Sequence, residues 1–150
     1  MTRTNAREIL VHLVFALNFK NEPADALLQS LMDQSYYPSL QTETDIYAER
    51  PSERQMQYIS DSLHGIERER ETLDGYIRKF AINWELSRIS RVARAIMQVA
   101  MYECLHTDDV PVSAAINEAV ELTRKYEDED VVSFVNGILG GFAREMEQSC

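Results

Sequence analysis

Ala6, Ile9, Leu10, Leu13, Val14 and Leu17 recur at three- and four-residue steps. That spacing lines one face of an α-helix, and no strand can use it, because a strand alternates its side chains every second residue. The same period returns along almost the whole chain. After the first helix, stopped between Asn18 and Pro23, the spacing predicts a short helix from Pro23 to about Gln34, with Ala24, Leu27, Leu28, Leu31 and Met32 inward. Periodicity then vanishes from Ser35 to Arg50, a polar stretch with Tyr36, Tyr37, Pro38 and Tyr47 that reads as a surface loop. Ser52 followed by Gln55 has the pattern of a capping box. It opens a helix through Met56, Ile59, Leu63 and Ile66 to roughly Arg70, and another follows from Thr72 to Phe80. Between them Glu67 to Glu71 (ERERE) reads as a solvated face or helix end.

Beyond Phe80 to Leu86 the pattern resumes. One helix carries Ile89, Val92, Ala93, Ile96, Val99 and Ala100, and a turn at Thr107–Pro111 leads into a second with Ala115, Ile116, Ala119, Val120 and Leu122. A third holds Val131, Phe134, Val135, Ile138, Leu139 and Phe142 behind the acidic turn Glu127–Asp130, which suits a helix N-terminus. With only five glycines and four prolines to interrupt it, the chain is predicted to be all-α. The expectation is about seven helices in two packed sub-bundles. One domain is expected over 1–150, with an N-terminal half of about 1–82 and a C-terminal half of about 83–150, and with Trp84 plugging the seam.

No apolar run approaches the ~18 residues a membrane span requires, and the N-terminus has no signal-peptide pattern. Cys104 and Cys150 form no CxxC or Cys/His cluster, so they read as a buried thiol and a tail thiol in a reducing cytoplasm, with no metal site. His12, His64 and His106 stand in separate segments, without HExxH, GxSxG or a phosphate-binding glycine loop. No catalytic residue and no cofactor is expected.

Charge is uneven. The net value of −10 argues against a broad polyanion-binding surface. Yet residues 1–20 set Arg3, Arg7 and Lys20 against Glu8, and residues 81–100 set Arg88, Arg91 and Arg94 against Glu85, so each segment is locally basic. The acidity concentrates in 21–50 and 101–150. Such a distribution permits a small nucleic-acid contact.

Two places break local helix rules. Asn117-Glu118 lies mid-helix, where Asn competes for backbone hydrogen bonds. Asn136-Gly137 interrupts an apolar run, where Gly costs about 1 kcal/mol relative to Ala. A structural role is favoured over ligand contact for all four: an inward Asn satisfying a neighbouring helix, and a Gly admitting a close backbone.

These same residues carry a resemblance. VPVSAAINEAVELTRKY (Val110–Tyr126) followed by SFVNGILGGF (Ser133–Phe142) is similar to the signature of the NusB transcription antitermination family. NAREI (Asn5–Ile9), Trp84 with Arg88, and AIMQVAMYE (Ala95–Glu103) match in the same order. The resemblance implies two helical sub-bundles. It also implies a bacterial factor that pairs with ribosomal protein NusE, binds boxA-type single-stranded RNA, and joins other Nus factors and RNA polymerase on ribosomal RNA operons. The family's RNA contact begins on the first helix, which maps onto Arg3, Arg7 and Phe15, with Phe134 from the FVNG motif and Asp130 beside it. Thr4 and Asn5 stand where the family often has arginine, as does Gln98, and Ala93 stands where it often has an acid. From the residues alone, Phe15 and Phe134 read equally as core, and Arg3 and Arg7 as solvated charges. The competing functional expectation is a helical adaptor or homodimer working through protein contacts alone.

Overall fold

The computed structural model describes residues 1–33, 45–82, 84–107 and 110–148. Most of the polar loop expected at 35–50, Asp108-Asp109 of the expected turn, and Cys150 lie outside them. Among the described residues there are seven α-helices, two short 3-10 turns and no strand: the predicted all-α class. They form two compact units, Met1–Arg68 and Glu69–Cys150. The division falls at the end of one helix, ahead of the seam expected near Trp84. The helix just after it packs on later elements, which places residues 69–82 with the second unit.

The first unit contains α1 (Arg3–Lys20), α2 (Ala24–Met32), a 3-10 turn (Asp45–Tyr47) and α3 (Glu53–Arg68). Thr2 caps α1, its hydroxyl accepting from the Asn5 N–H at 3.0 Å. Asn21 closes the helix at φ 54°, a left-handed conformation that Asn tolerates better than most side chains. α1 packs against both α2 and α3. Ile9, Leu10, Leu17, Ile59, Leu63 and Ile66 are fully buried, each stabilising the fold by about 1.5–3 kcal/mol. The capping box forms as predicted. The Ser52 N–H donates to Gln55 Oε1 at 3.0 Å, and the Gln55 N–H to Ser52 Oγ at 3.2 Å.

α2 has no cap of its own, because Pro23 stands at its N-cap and has no side-chain acceptor. Glu67 supplies one from α3, accepting the Ala24 N–H at 2.8 Å. A carboxylate there satisfies an orphan donor and meets the positive end of the α2 dipole. The ERERE stretch is therefore more than a solvated face. Glu69, in the second unit, is likewise engaged, 2.8 Å from His106 Nε2.

The second unit contains α4 (Arg70–Phe80), a 3-10 turn (Leu86–Arg88), α5 (Arg91–His106), α6 (Val112–Tyr126) and α7 (Glu129–Gln148). α5 packs against α4, α6 and α7, and every residue from Ala95 to Met101 is buried. A helix apolar on nearly all sides belongs at the centre of its bundle. Within that stretch Gln98 is wholly buried and donates to Asp74 Oδ1 at 2.9 Å. Arg94 grips the same carboxylate through Nε at 3.0 Å and Nη2 at 2.6 Å. Gln98, at a position where arginine was the family expectation, thus ties α5 to α4.

The glycine that admits a close neighbour is Gly141. A Cβ there would stand 2.7 Å from Phe80 Cδ1, whereas one at Gly137 would meet nothing within 4 Å. The close approach expected at Gly137 therefore occurs one helical turn later, where α7 crosses α4. Asn117 and Asn136 are exposed and Glu118 is half-buried. The two asparagines line an open groove of about 570 Å³ between α6 and α7, together with Val112, Ile116, Val120 and Glu147. They do not satisfy a buried neighbour as expected, because the apolar stripe of α6 turns Ala115, Ala119 and Leu122 inward and leaves Asn117 on the opposite flank.

Candidate nucleic-acid interface

Single-stranded RNA is held by cations on phosphates and by aromatic rings on which bases stack. Each unit offers some of both. On α1, Arg3 is exposed, with its guanidinium 5.7 Å from the centroid of the Tyr58 ring on α3, a cation–π distance that holds the fork near the helix start. Arg7 was expected beside it as a second RNA-binding cation, yet it is only 7% exposed. Its long stem is covered and little of its head is open to water. Phe15 is half-buried and stacks on Phe19, one turn further along, with centroids 5.8 Å apart and planes at 25°. Phe19 is 54% exposed. Sequence reasoning passed over it, although the four-residue spacing from Phe15 was the signal that would have found it.

In the second unit Phe134 lies on the second turn of α7, half-buried, and Asp130 stands exposed one turn before it. Trp84 meets the Phe134 ring edge-on, with centroids 5.5 Å apart and planes at 60°. Trp84 is no plug; it is 55% exposed. Together with Arg88, Ala93, Asp130 and Val131 the two rings line a mainly apolar cavity of about 170 Å³. Its frame is hydrogen-bonded. Ser90 caps α5 by accepting the Ala93 N–H at 3.2 Å and donates its own proton to Glu127, joining the start of α5 to the α6–α7 corner. Asp128 caps α7, accepting the Val131 N–H at 3.2 Å. Phe134 and Asp130 are thus brought together, as their four-residue spacing requires, and Arg88 is added to them from the 3-10 turn.

One other cluster resembles a hydrolytic triad: Ser60, His64 and Asp25 in the first unit. Its hydrogen bonds are wrong for that chemistry. His64 Nδ1 lies 2.8 Å from the Ser60 carbonyl oxygen, to which it can only donate, so it has no lone pair for the Ser60 hydroxyl 3.5 Å away. Nε2 meets Asp25 at 2.6 Å. A general base needs a free nitrogen facing the nucleophile. The arrangement instead fastens α2 to α3, and the Asp25 hydrogen bond, followed by the Ser60 carbonyl, raises the His64 pKa above its ordinary 6.5. Cys104, half-buried on α5, is pushed up to about 11 by burial and then by the Glu103 charge, which keeps it a thiol. Among the described residues no group of three His, Cys, Asp or Glu side chains stands ready to hold a metal ion. No helix among them is long and apolar enough to cross a membrane.

Comparison with known proteins agrees with this architecture. A transcription antitermination protein NusB from Acetivibrio thermocellus is 38% identical over 140 residues, covering 93% of this chain and 87% of that protein. The protein of the same name from Bacillus subtilis is 30% identical over 149 residues, covering 99% of this chain and all of its own. Among solved structures, T. maritima NusB superposes with a TM-score of 0.79 at 26% identity, covering 97% of this chain and 92% of its own. The NusB family model matches residues 4–144, across both units. The chain belongs to the NusB family.

Proposed function

We propose that this chain is a transcription antitermination factor that binds boxA-type single-stranded RNA jointly with ribosomal protein NusE. It would then act with other Nus factors on RNA polymerase, supporting transcription of ribosomal RNA operons in the cytoplasm. The observation that carries this reading is Phe134, half-buried at an apolar cavity whose lining includes Arg88 and Asp130. A ring so placed supports a base, and an adjacent arginine suits a phosphate. On α1, Arg3 is the outward cation and Phe15, extended by Phe19, the second aromatic platform. Arg7, nearly enclosed, is assigned to holding the start of α1 in place beside the RNA. The family match across both units supports treating them as halves of one NusB-type domain.

Two or three phosphate contacts to a single strand give a log–log salt slope of only about −1.4 to −2.1. Against a net charge of −10, that is weak binding for the chain alone. The basic partner makes up the difference, and the acidic stretch 101–150 is where its charge is best matched. Fluorescence anisotropy of labelled boxA-type RNA, with and without NusE at two salt concentrations, tests the reading. Tight binding only with NusE, weakened about 5- to 150-fold by Phe134→Ala and also reduced by Arg3→Ala, is the expected result. Retained NusE binding with no RNA binding would replace it with an adaptor working through protein contacts, for which the open α6–α7 groove, with Val112, Ile116 and Val120 along it, is the surface to examine.

A further inference from the structure

An exposed tryptophan is ordinary when it stands alone. Trp84 does not. It is the chain's single tryptophan, 55% exposed, and held edge-on to Phe134 at 5.5 Å over an apolar cavity of about 170 Å³. Its position is set on both sides. Its backbone N–H donates to the Ala81 carbonyl at 3.1 Å, and the 3-10 turn that follows is closed by the backbone N–H of Arg88 donating to the Glu85 carbonyl at 2.9 Å. That turn places Arg88 on the lining of the same cavity. An apolar space of about 150 Å³ accepts one benzene-sized ring, so this cavity of about 170 Å³ has room for a nucleobase.

We propose that Trp84 and Phe134 form an aromatic corner that receives a single unstacked base of the bound RNA, with Arg88 paired to the phosphate of that nucleotide. With the planes at 60° the two rings do not make a parallel slot. The base lies flat on the open indole face and sets its edge against the phenyl ring, which combines stacking with the edge-to-face contact that aromatic quadrupoles favour. Asp130, on the same lining, is acceptor-only when ionised. It therefore favours a base edge that presents N–H donors, and it repels a second phosphate from the cavity. Direction follows from this: the phosphate is held on the Arg88 side and the donor edge faces the α7 N-terminus.

This inference rests on the RNA-binding function proposed above, and the test separates the two. The full chain is labelled with 5-fluorotryptophan, which gives one fluorine resonance, and is complexed with unlabelled NusE and boxA-type RNA. The resonance is expected to stay in place on adding NusE and to shift on adding RNA. In parallel anisotropy titrations Trp84→Ala weakens RNA binding about 5- to 150-fold, Trp84→Phe retains most of the affinity, and Arg88→Ala lowers the salt slope by about 0.7. RNA bound with wild-type affinity by Trp84→Ala, with the resonance unmoved, would overturn the corner and leave the RNA function standing. A resonance that shifts with NusE alone would reassign the corner to a protein contact. No RNA binding by the wild-type complex would overturn both.

Discussion

Asp74 is a side chain outside the apolar core whose loss should be clearly felt. Its carboxylate, 5% exposed, receives two hydrogen bonds from Arg94 and one from Gln98, joining α4 to α5. Replacement by alanine leaves the Gln98 amide, at 0% exposure, without that acceptor, which costs about 1–3 kcal/mol. Complete burial of the Arg94–Asp74 pair would make breaking it cost about 3–5 kcal/mol. The Arg94 side chain is 23% exposed, so water screens part of its charge and we take about 1–2 kcal/mol for this share. Asp74→Ala should therefore destabilise by about 3 kcal/mol, lowering the melting temperature by about 6–12 °C for a chain of this size. Asp74→Asn, which keeps one acceptor, should lose about half as much. Urea denaturation followed by circular dichroism reads both, and Gln98→Ala in the Asp74→Ala background should add less than it does alone. A loss under about 1 kcal/mol for Asp74→Ala would mean that the carboxylate matters no more than an exposed pair, and the argument from burial would fail.

Other outcomes follow from single positions. Gly137→Ala, in open space mid-helix, should stabilise by up to about 1 kcal/mol. Gly141→Ala drives a methyl into the Phe80 ring, an overpacking cost of about 1–3 kcal/mol, so the two variants should move the urea midpoint in opposite directions. His64 titrates higher when folded than when unfolded; its contribution is complete below pH 6.5 and is lost as pH rises through the folded pKa. Proton NMR of the ring should show the raised value falling back in Asp25→Asn, and an unchanged titration would refute the pairing. Cys104, with its pKa pushed up to about 11, should resist alkylation at pH 7.5 until the chain is unfolded, a contrast that mass spectrometry resolves.

The helices, their apolar faces and one of their caps were legible in the sequence. Periodicity depends only on the geometry of a helix about its own axis, and a cap such as Ser52–Gln55 closes within one turn. Phe134 and Asp130 were put at one site by the family resemblance, and they meet in the structure because they share one face of one helix. Everything that required a partner from elsewhere was decided by tertiary structure. Glu67 became the cap of a helix 43 residues away, Arg7 was covered rather than solvated, and Trp84 came to rest in the open against Phe134. Gly141, not Gly137, took the close neighbour. Local spacing sets the angle at which a side chain leaves its helix; whether another helix, a carboxylate or water waits there depends on how the helices cross, and no local pattern encodes that.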